Sequence, residues 1–167
     1  MKKVILLLLF FPCLASGQIC FDFENGSVTG WTQGSDNHWN TVSEGTISGN
    51  YSLKHTFDNP ASGSDCIGVP LTDFHPSEGT ASWTFMIKHG YDPSASNCWA
   101  VYLMSDHNPG SFSNGSAVSG FAAGVNLTGY DDTLRLWKIK KGIISVVASC
   151  PVNWENDIGT AGAAKIL

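Results

Sequence analysis

Residues 81–106 read ASWTFMIKHGYDPSASNCWAVYLMSD, and this stretch decides the fold. Two apolar runs rich in β-branched and aromatic residues, ASWTFMIKH and NCWAVYLMSD, flank the polar turn sequence GYDPSAS. Side chains alternate faces along a strand, so Trp83, Phe85 and Ile87 share one face while Ser82, Thr84 and Met86 share the other. Trp99, Val101 and Leu103 share a face of the second run. The pattern predicts an antiparallel pair at the centre of a sheet.

The same alternation recurs on both sides. Downstream, Val118–Leu127 is apolar with glycines at 120 and 124, which predicts a strand that bends or bulges. Leu134–Lys140 and Ile143–Ala148 predict a hairpin closed by Lys141-Gly142. Upstream, Gln18–Glu24 (QICFDFE) predicts a first strand with Ile19, Phe21 and Phe23 inward. Residues 33–50 predict a long loop holding one short strand, and Tyr51–Phe57 and Asp65–Leu71 predict two further strands. Helical periodicity is not found beyond residue 17. The reading is all-β, about nine strands in a two-sheet antiparallel β-sandwich. Trp154–Leu167 begins as a loop and closes in the first residues of another strand, so the sandwich is expected to be cut within its last strands.

Lys2 and Lys3, the unbroken apolar run Val4–Phe11 and the small residues Ala15, Ser16 and Gly17 have the layout of a secretory signal peptide. The apolar run is shorter than the roughly 20 residues a membrane span needs. The expected organisation is a leader at 1–17 and one β-sandwich domain at 18–167, exported without a membrane anchor of its own. Without the leader, seven basic face fourteen acidic side chains, a formal charge of about −7. The one basic cluster, Lys138, Lys140 and Lys141, lies beside a turn, which argues against a nucleic-acid partner. Four cysteines remain, Cys20, Cys66, Cys98 and Cys150, without CxxC spacing. In an oxidising compartment they predict two disulfides with three possible connectivities. The pairing expected here is Cys66–Cys98 with Cys20–Cys150, the alternative being free thiols acting as small hydrophobes.

Few residues point to chemistry. Glycoside hydrolysis needs two facing carboxyl groups, and the one Glu-x-Asp run, Glu155-Asn156-Asp157, falls in a loop. The histidines at 38, 55, 75, 89 and 107 are scattered, with no GxSxG elbow; His55 and His89 read as hydrogen-bonded packing residues. Catalysis is not expected. Calcium is the ligand chemistry the loops favour: Asp131, Asp132 and Asn126 at one turn, and Asp106 with Asn108 at the end of a strand, offer hard oxygen donors that a sandwich end can gather. The competing reading is ordinary Asp and Asn turn capping. Trp31, Trp39 and Tyr130 are the loop-proximal aromatics that a glycan-binding platform would use, whereas Trp83, Trp99 and Trp137 are expected in the core. Trp39 is open to either reading.

CFDFENG with Trp31, NYSLKH at 50–55, the run from Ser82 to Trp99, YLMSD at 102–106 and GYDDTLRLWKIKKG at 129–142 together resemble the N-terminal sandwich domain of secreted bacterial surface proteins. That domain is similar to concanavalin-like and laminin-G-like jelly rolls and often precedes a lamin-tail-like domain. The resemblance covers nearly all of residues 18–167. It implies a jelly-roll fold and, because the architecture hosts lectins, adhesion modules and hydrolases alike, leaves activity open. The expected function is a non-catalytic module for adhesion or recognition of an extracellular glycan or matrix partner. A ligand-free structural spacer and a remnant hydrolase are the rivals.

Overall fold

A computed structural model describes residues 18–58, 61, 63–72, 74–75, 79–112 and 117–167. The expected leader at 1–17 and parts of the expected loops at 59–64, 73–79 and 107–116 lie outside the described residues. The described residues form antiparallel strands with almost no helix: β1 Thr32–Gln33, β2 Trp39–Val42, β3 Ser52–His55, β4 Ile67–Gly68, β5 Phe85–Ile87, β6 Trp99–Ser105, β7 Gly120–Val125, β8 Thr133–Lys140, β9 Ile143–Asn153 and β10 Ala164–Ile166. Strands β6-β7-β8-β9 form one four-stranded sheet. Three two-stranded sheets join β1 with β4, β2 with β3, and β5 with β10.

The β8–β9 hairpin follows directly from the sequence. Lys140 pairs with Ile143 across Lys141-Gly142, whose φ angles of 49° and 78° are the left-handed conformations that a tight two-residue hairpin turn requires. Strand β7 is one of the two inner strands of the sheet, and its sequence GFAAGV explains how it can lie there. Ala122 to Val125 are all buried, so both faces of the strand are covered and only small side chains fit. A Cβ on Gly124 would lie 2.3 Å from the Trp99 carbonyl oxygen, a contact no side chain tolerates. The expected irregularity is real but lies opposite β7, where β6 slips register between Tyr102 and Met104.

Each face of this sheet carries its own apolar cluster. Trp99, Val125, Leu134 and Trp154 pack on one face, where Ile87 of β5 and Ala164 and Ile166 of β10 lie against them. Ala122, Trp137 and Ile139 pack on the other with Tyr102, Leu127 and Ile144. Trp154 is fully buried and meets Trp99 edge-on at 4.6 Å between ring centroids.

Two expectations are corrected. The runs at 81–89 and 98–106 do not pair: β5 pairs with β10 (Phe85 with Ile166, Ile87 with Ala164), and β6 pairs with β7. A tight turn fixes the register of a hairpin, and the long connection at 88–98 imposes none. The alternation of Trp83, Phe85 and Ile87 inward and Met86 outward nevertheless holds. Residues 18–24 form no strand. Asp22 accepts a hydrogen bond from the Glu24 amide at 3.1 Å and Phe23 turns to φ 61°, which breaks the extended run and leaves Ile19 and Phe21 exposed.

Two substitutions test this architecture. Trp154→Ala should cost about 3–5 kcal/mol, and Gly124→Val about 3 kcal/mol, in urea unfolding. A loss below about 0.5 kcal/mol for either would place β7 and residue 154 at the surface instead.

Candidate functional site

The most concentrated chemistry lies where three segments meet. The chain between β1 and β2 carries His38, the last residue of β3 is His55, and Asp65 comes two residues before β4. Pairing Trp39 with His55 brings the two histidines to the same end of the β2–β3 ladder. Pairing β1 with β4, together with the Gly34 amide donating to the Cys66 carbonyl at 2.7 Å, delivers Asp65 between them. Asp65 Oδ1 lies 2.6 Å from His38 Nδ1, and Oδ2 lies 2.8 Å from His55 Nε2. The carboxylate is 9% exposed and the two imidazoles 19% and 32%.

Neighbouring aromatics fix both rings. Phe57 stacks on His38 at 3.7 Å with the rings 8° from parallel, and Trp39 meets His55 at 5.1 Å and 64°. The Gln33 side chain holds Trp39 in turn, accepting from its amide and donating to its carbonyl, each at 2.9 Å. Among the described residues this is the one place where three His, Cys, Asp or Glu ligand atoms lie within 4.8 Å of one another.

A second site surrounds Tyr130, whose ring is 82% exposed on the β7–β8 turn. It stands at a shallow cleft of about 430 Å³ lined by Thr128, Gly129, Tyr130, Asp131, Arg135, Trp137 and Val146. Arg135 grips Asp131 with both guanidinium nitrogens and lies 5.6 Å from the centre of the Trp137 ring. The guanidinium holds the Asp131 carboxyl well below the usual carboxylate range. Asn126 and Asp132 brace the turn: Asn126 donates to the Asp132 carboxylate at 2.6 Å and accepts from the Asp132 amide at 3.0 Å. Both have φ near +57°, a conformation Asn and Asp tolerate better than most residues.

The five residues expected to gather calcium are thus divided, Asn108 accepting from the Ser111 hydroxyl at 3.3 Å. Asp131 faces Arg135, and Asn126 and Asp132 face each other. Asp106 lies at the opposite end of β7, because Ser105 pairs with Gly120 while Trp99 pairs with Val125; it accepts from the Ser119 amide at 2.7 Å. That bond and His107 pull its carboxyl down to about 2. Trp31 packs against Phe21 and Phe23 at 5.0 and 5.2 Å in a separate shallow cleft that Cys20 and Val69 also line. Trp39 is a packing residue of the histidine site. Cys20, Cys66, Cys98 and Cys150 are all free, so neither expected disulfide is formed: Cys66 turns its thiol toward the Pro109 carbonyl at 3.1 Å, and the other three lie on exposed segments. Burial pushes the Cys66 thiol up, and the Asp65 charge adds to this.

The Glu-x-Asp run is equally divided. Asp157 accepts from the Asn153 amide at 2.8 Å, while hydrogen bonding with Asp132 and the charges of Asp132 and Asp92 raise the Glu155 carboxyl above its usual range. The sequence reading missed the histidine site because its members stand up to 27 residues apart and resemble loop or packing imidazoles individually. Its one trace was the alternation of YSLKH, which turns His55 inward with Leu53.

No family model matches the chain, and no curated protein or solved structure is similar enough to register as a match. Among the described residues no helix is long and apolar enough to cross a membrane.

The carboxyl groups set opposing pH trends. A raised acid binds its proton more readily when folded, so its stabilisation is complete below the unfolded value near 4.3 and is lost as pH rises through the folded value. Asp106 and Asp131 contribute in the opposite direction, their stabilisation fading as pH falls below about 4. Glu155→Gln should therefore raise the thermal midpoint at pH 7 and remove the gain in stability that the parent shows as pH falls from neutral toward about 4.3. Identical midpoint–pH curves for the variant and the parent would contradict the Glu155–Asp132 repulsion.

Proposed function

We propose that the chain is an exported, non-catalytic recognition module, a two-sheet jelly-roll sandwich that binds an extracellular glycan or matrix component at the Tyr130 cleft. The observation carrying this reading is an aromatic ring standing free in solvent beside a fixed pair of opposite charges. Large aromatics are normally buried, and a ring that presents its face next to aligned polar groups suits a ligand with an apolar face and a hydroxyl rim, as a pyranose has. Asp131 supplies acceptors and Arg135 donors, and the ion pair together with the Trp137 ring holds the guanidinium in one plane. The site needs no metal for charge balance, because Arg135 already neutralises Asp131.

The sandwich reading draws support from the β5–β10 pair, whose Ile87, Ala164 and Ile166 lie across one face of the four-stranded sheet. The resemblance to concanavalin-like domains of secreted bacterial proteins points the same way. Export rests on the leader pattern of residues 1–17. The non-catalytic reading rests on the carboxyl groups of the Glu-x-Asp run: Asp157 is committed to the Asn153 amide, and the run supplies no second carboxylate free to face Glu155 as hydrolysis requires.

The test is thermal unfolding across a panel of soluble polysaccharides, since a ligand that binds only the folded state raises the midpoint. The reading predicts a shift with at least one glycan, lost in Tyr130→Ala and Arg135→Ala and kept in Trp31→Ala. A shift that survives Tyr130→Ala moves the site elsewhere, and no shift with any glycan leaves the module a spacer.

A further inference from the structure

The histidine site takes no part in the recognition reading, and its geometry points to a chemistry of its own. We propose that His38, His55 and Asp65 bind one divalent transition-metal ion of the zinc class, with His38 Nδ1, His55 Nε2 and a carboxylate oxygen of Asp65 as ligands. Imidazole nitrogen and carboxylate oxygen are the donors that Zn²⁺ takes with three protein ligands and one open position. Calcium and magnesium prefer all-oxygen sites, so the two imidazoles select against them.

Three features make this a built site. The ligand atoms come from three separate segments yet lie within 4.8 Å of one another, a convergence that two strand pairings impose. Each imidazole is fixed by an aromatic neighbour, His38 by Phe57 and His55 by Trp39, and Gln33 fixes Trp39. Ring contacts of this kind restrict the orientations that the imidazoles can take. Third, no spacing between the ligand atoms departs by more than about 1.5 Å from what a tetrahedral ion needs. Nitrogen and oxygen ligands about 2.0–2.1 Å from a tetrahedral ion stand about 3.3 Å apart, against the present 2.6 and 2.8 Å. An ion bound there replaces the two ring–carboxylate hydrogen bonds, each imidazole carrying its proton on its other nitrogen, and the two nitrogen–oxygen distances lengthen by about 0.5–0.7 Å. The fourth position is left to solvent or an exogenous donor, since Cys66, next to Asp65 in sequence, points its thiol at Pro109.

The experiment uses the full chain freed of metal by chelation and titrated with Zn²⁺ by calorimetry, with the zinc-loaded protein examined by X-ray absorption. One equivalent of Zn²⁺ should bind and raise the thermal midpoint. His38→Gln and His55→Gln should each weaken binding by about 100-fold or more, since even supporting residues cost 10–100-fold. Cys66→Ser and His107→Gln should bind as the parent does. The absorption spectrum should show nitrogen and oxygen neighbours at about 2.0–2.1 Å with imidazole outer-shell scattering and no sulfur at about 2.3 Å. This readout needs no variant and therefore stands if a histidine substitution unfolds the chain. Absence of zinc binding, a sulfur shell, or unchanged affinity in both histidine variants would overturn the proposal.

Discussion

The close approach of β7 to β6 is the constraint on which the rest of the structure depends. Gly120 and Gly124 lie where a side chain would strike the Met104 and Trp99 carbonyls, and Ala122 and Ala123 between them are buried. A strand of such small residues contributes little apolar area itself. It lets larger neighbours close over it from both sides: Trp137 and Ile139 on one face, Trp99, Leu134 and Trp154 on the other. Burying an aromatic side chain stabilises by a few kcal/mol, so the two tryptophan-bearing clusters dominate the stability of the chain.

These clusters carry a cost. Among the described residues, the indole nitrogens of Trp39, Trp99, Trp137 and Trp154 are buried without a hydrogen-bond partner. Each such group forfeits about 1–3 kcal/mol of desolvation. Three of the four belong to the sheet clusters, so packing there outweighs hydrogen bonding. The fourth, Trp39, belongs to the histidine site, where its ring positions His55 and its backbone is held by Gln33. The two regions are thus organised differently: the β6–β9 sheet by apolar contact, and the β1–β4 region by polar side chains that bind backbone and one another.

That difference governs what the sequence revealed. The β8–β9 hairpin was legible because Lys141-Gly142 and the flanking alternation are local signals. The faces of residues 83–87 were legible for the same reason. The partner of β5 was not, since strand alternation states which side is buried but not which strand lies alongside, and AKI at 164–166 is too short to announce itself. QICFDFE alternates yet forms no strand, because Asp22 and Phe23 bend the chain. Trp154 reads as a loop residue and is fully buried, carried inward by the short helical turn at Trp154–Ile158. Of the residues expected at binding sites, Tyr130 is the exposed ring the reading wanted, Trp31 and Trp39 are packed against other rings, and Asp106 lies at the far end of β7 from Asp131. The His38–Asp65–His55 cluster exists only through two strand pairings, and no spacing in the sequence encodes it.

Amide hydrogen exchange resolved along the chain tests most directly whether the four-stranded sheet is the most stable part of the chain. Exchange should be slowest at residues 122–125 and 134–139, with residues 85–87 protected together with 164–166 and the His38–Asp65 region exchanging faster. Equal or greater protection of residues 38–65, or residues 85–87 exchanging in step with β6 instead of β10, would contradict it.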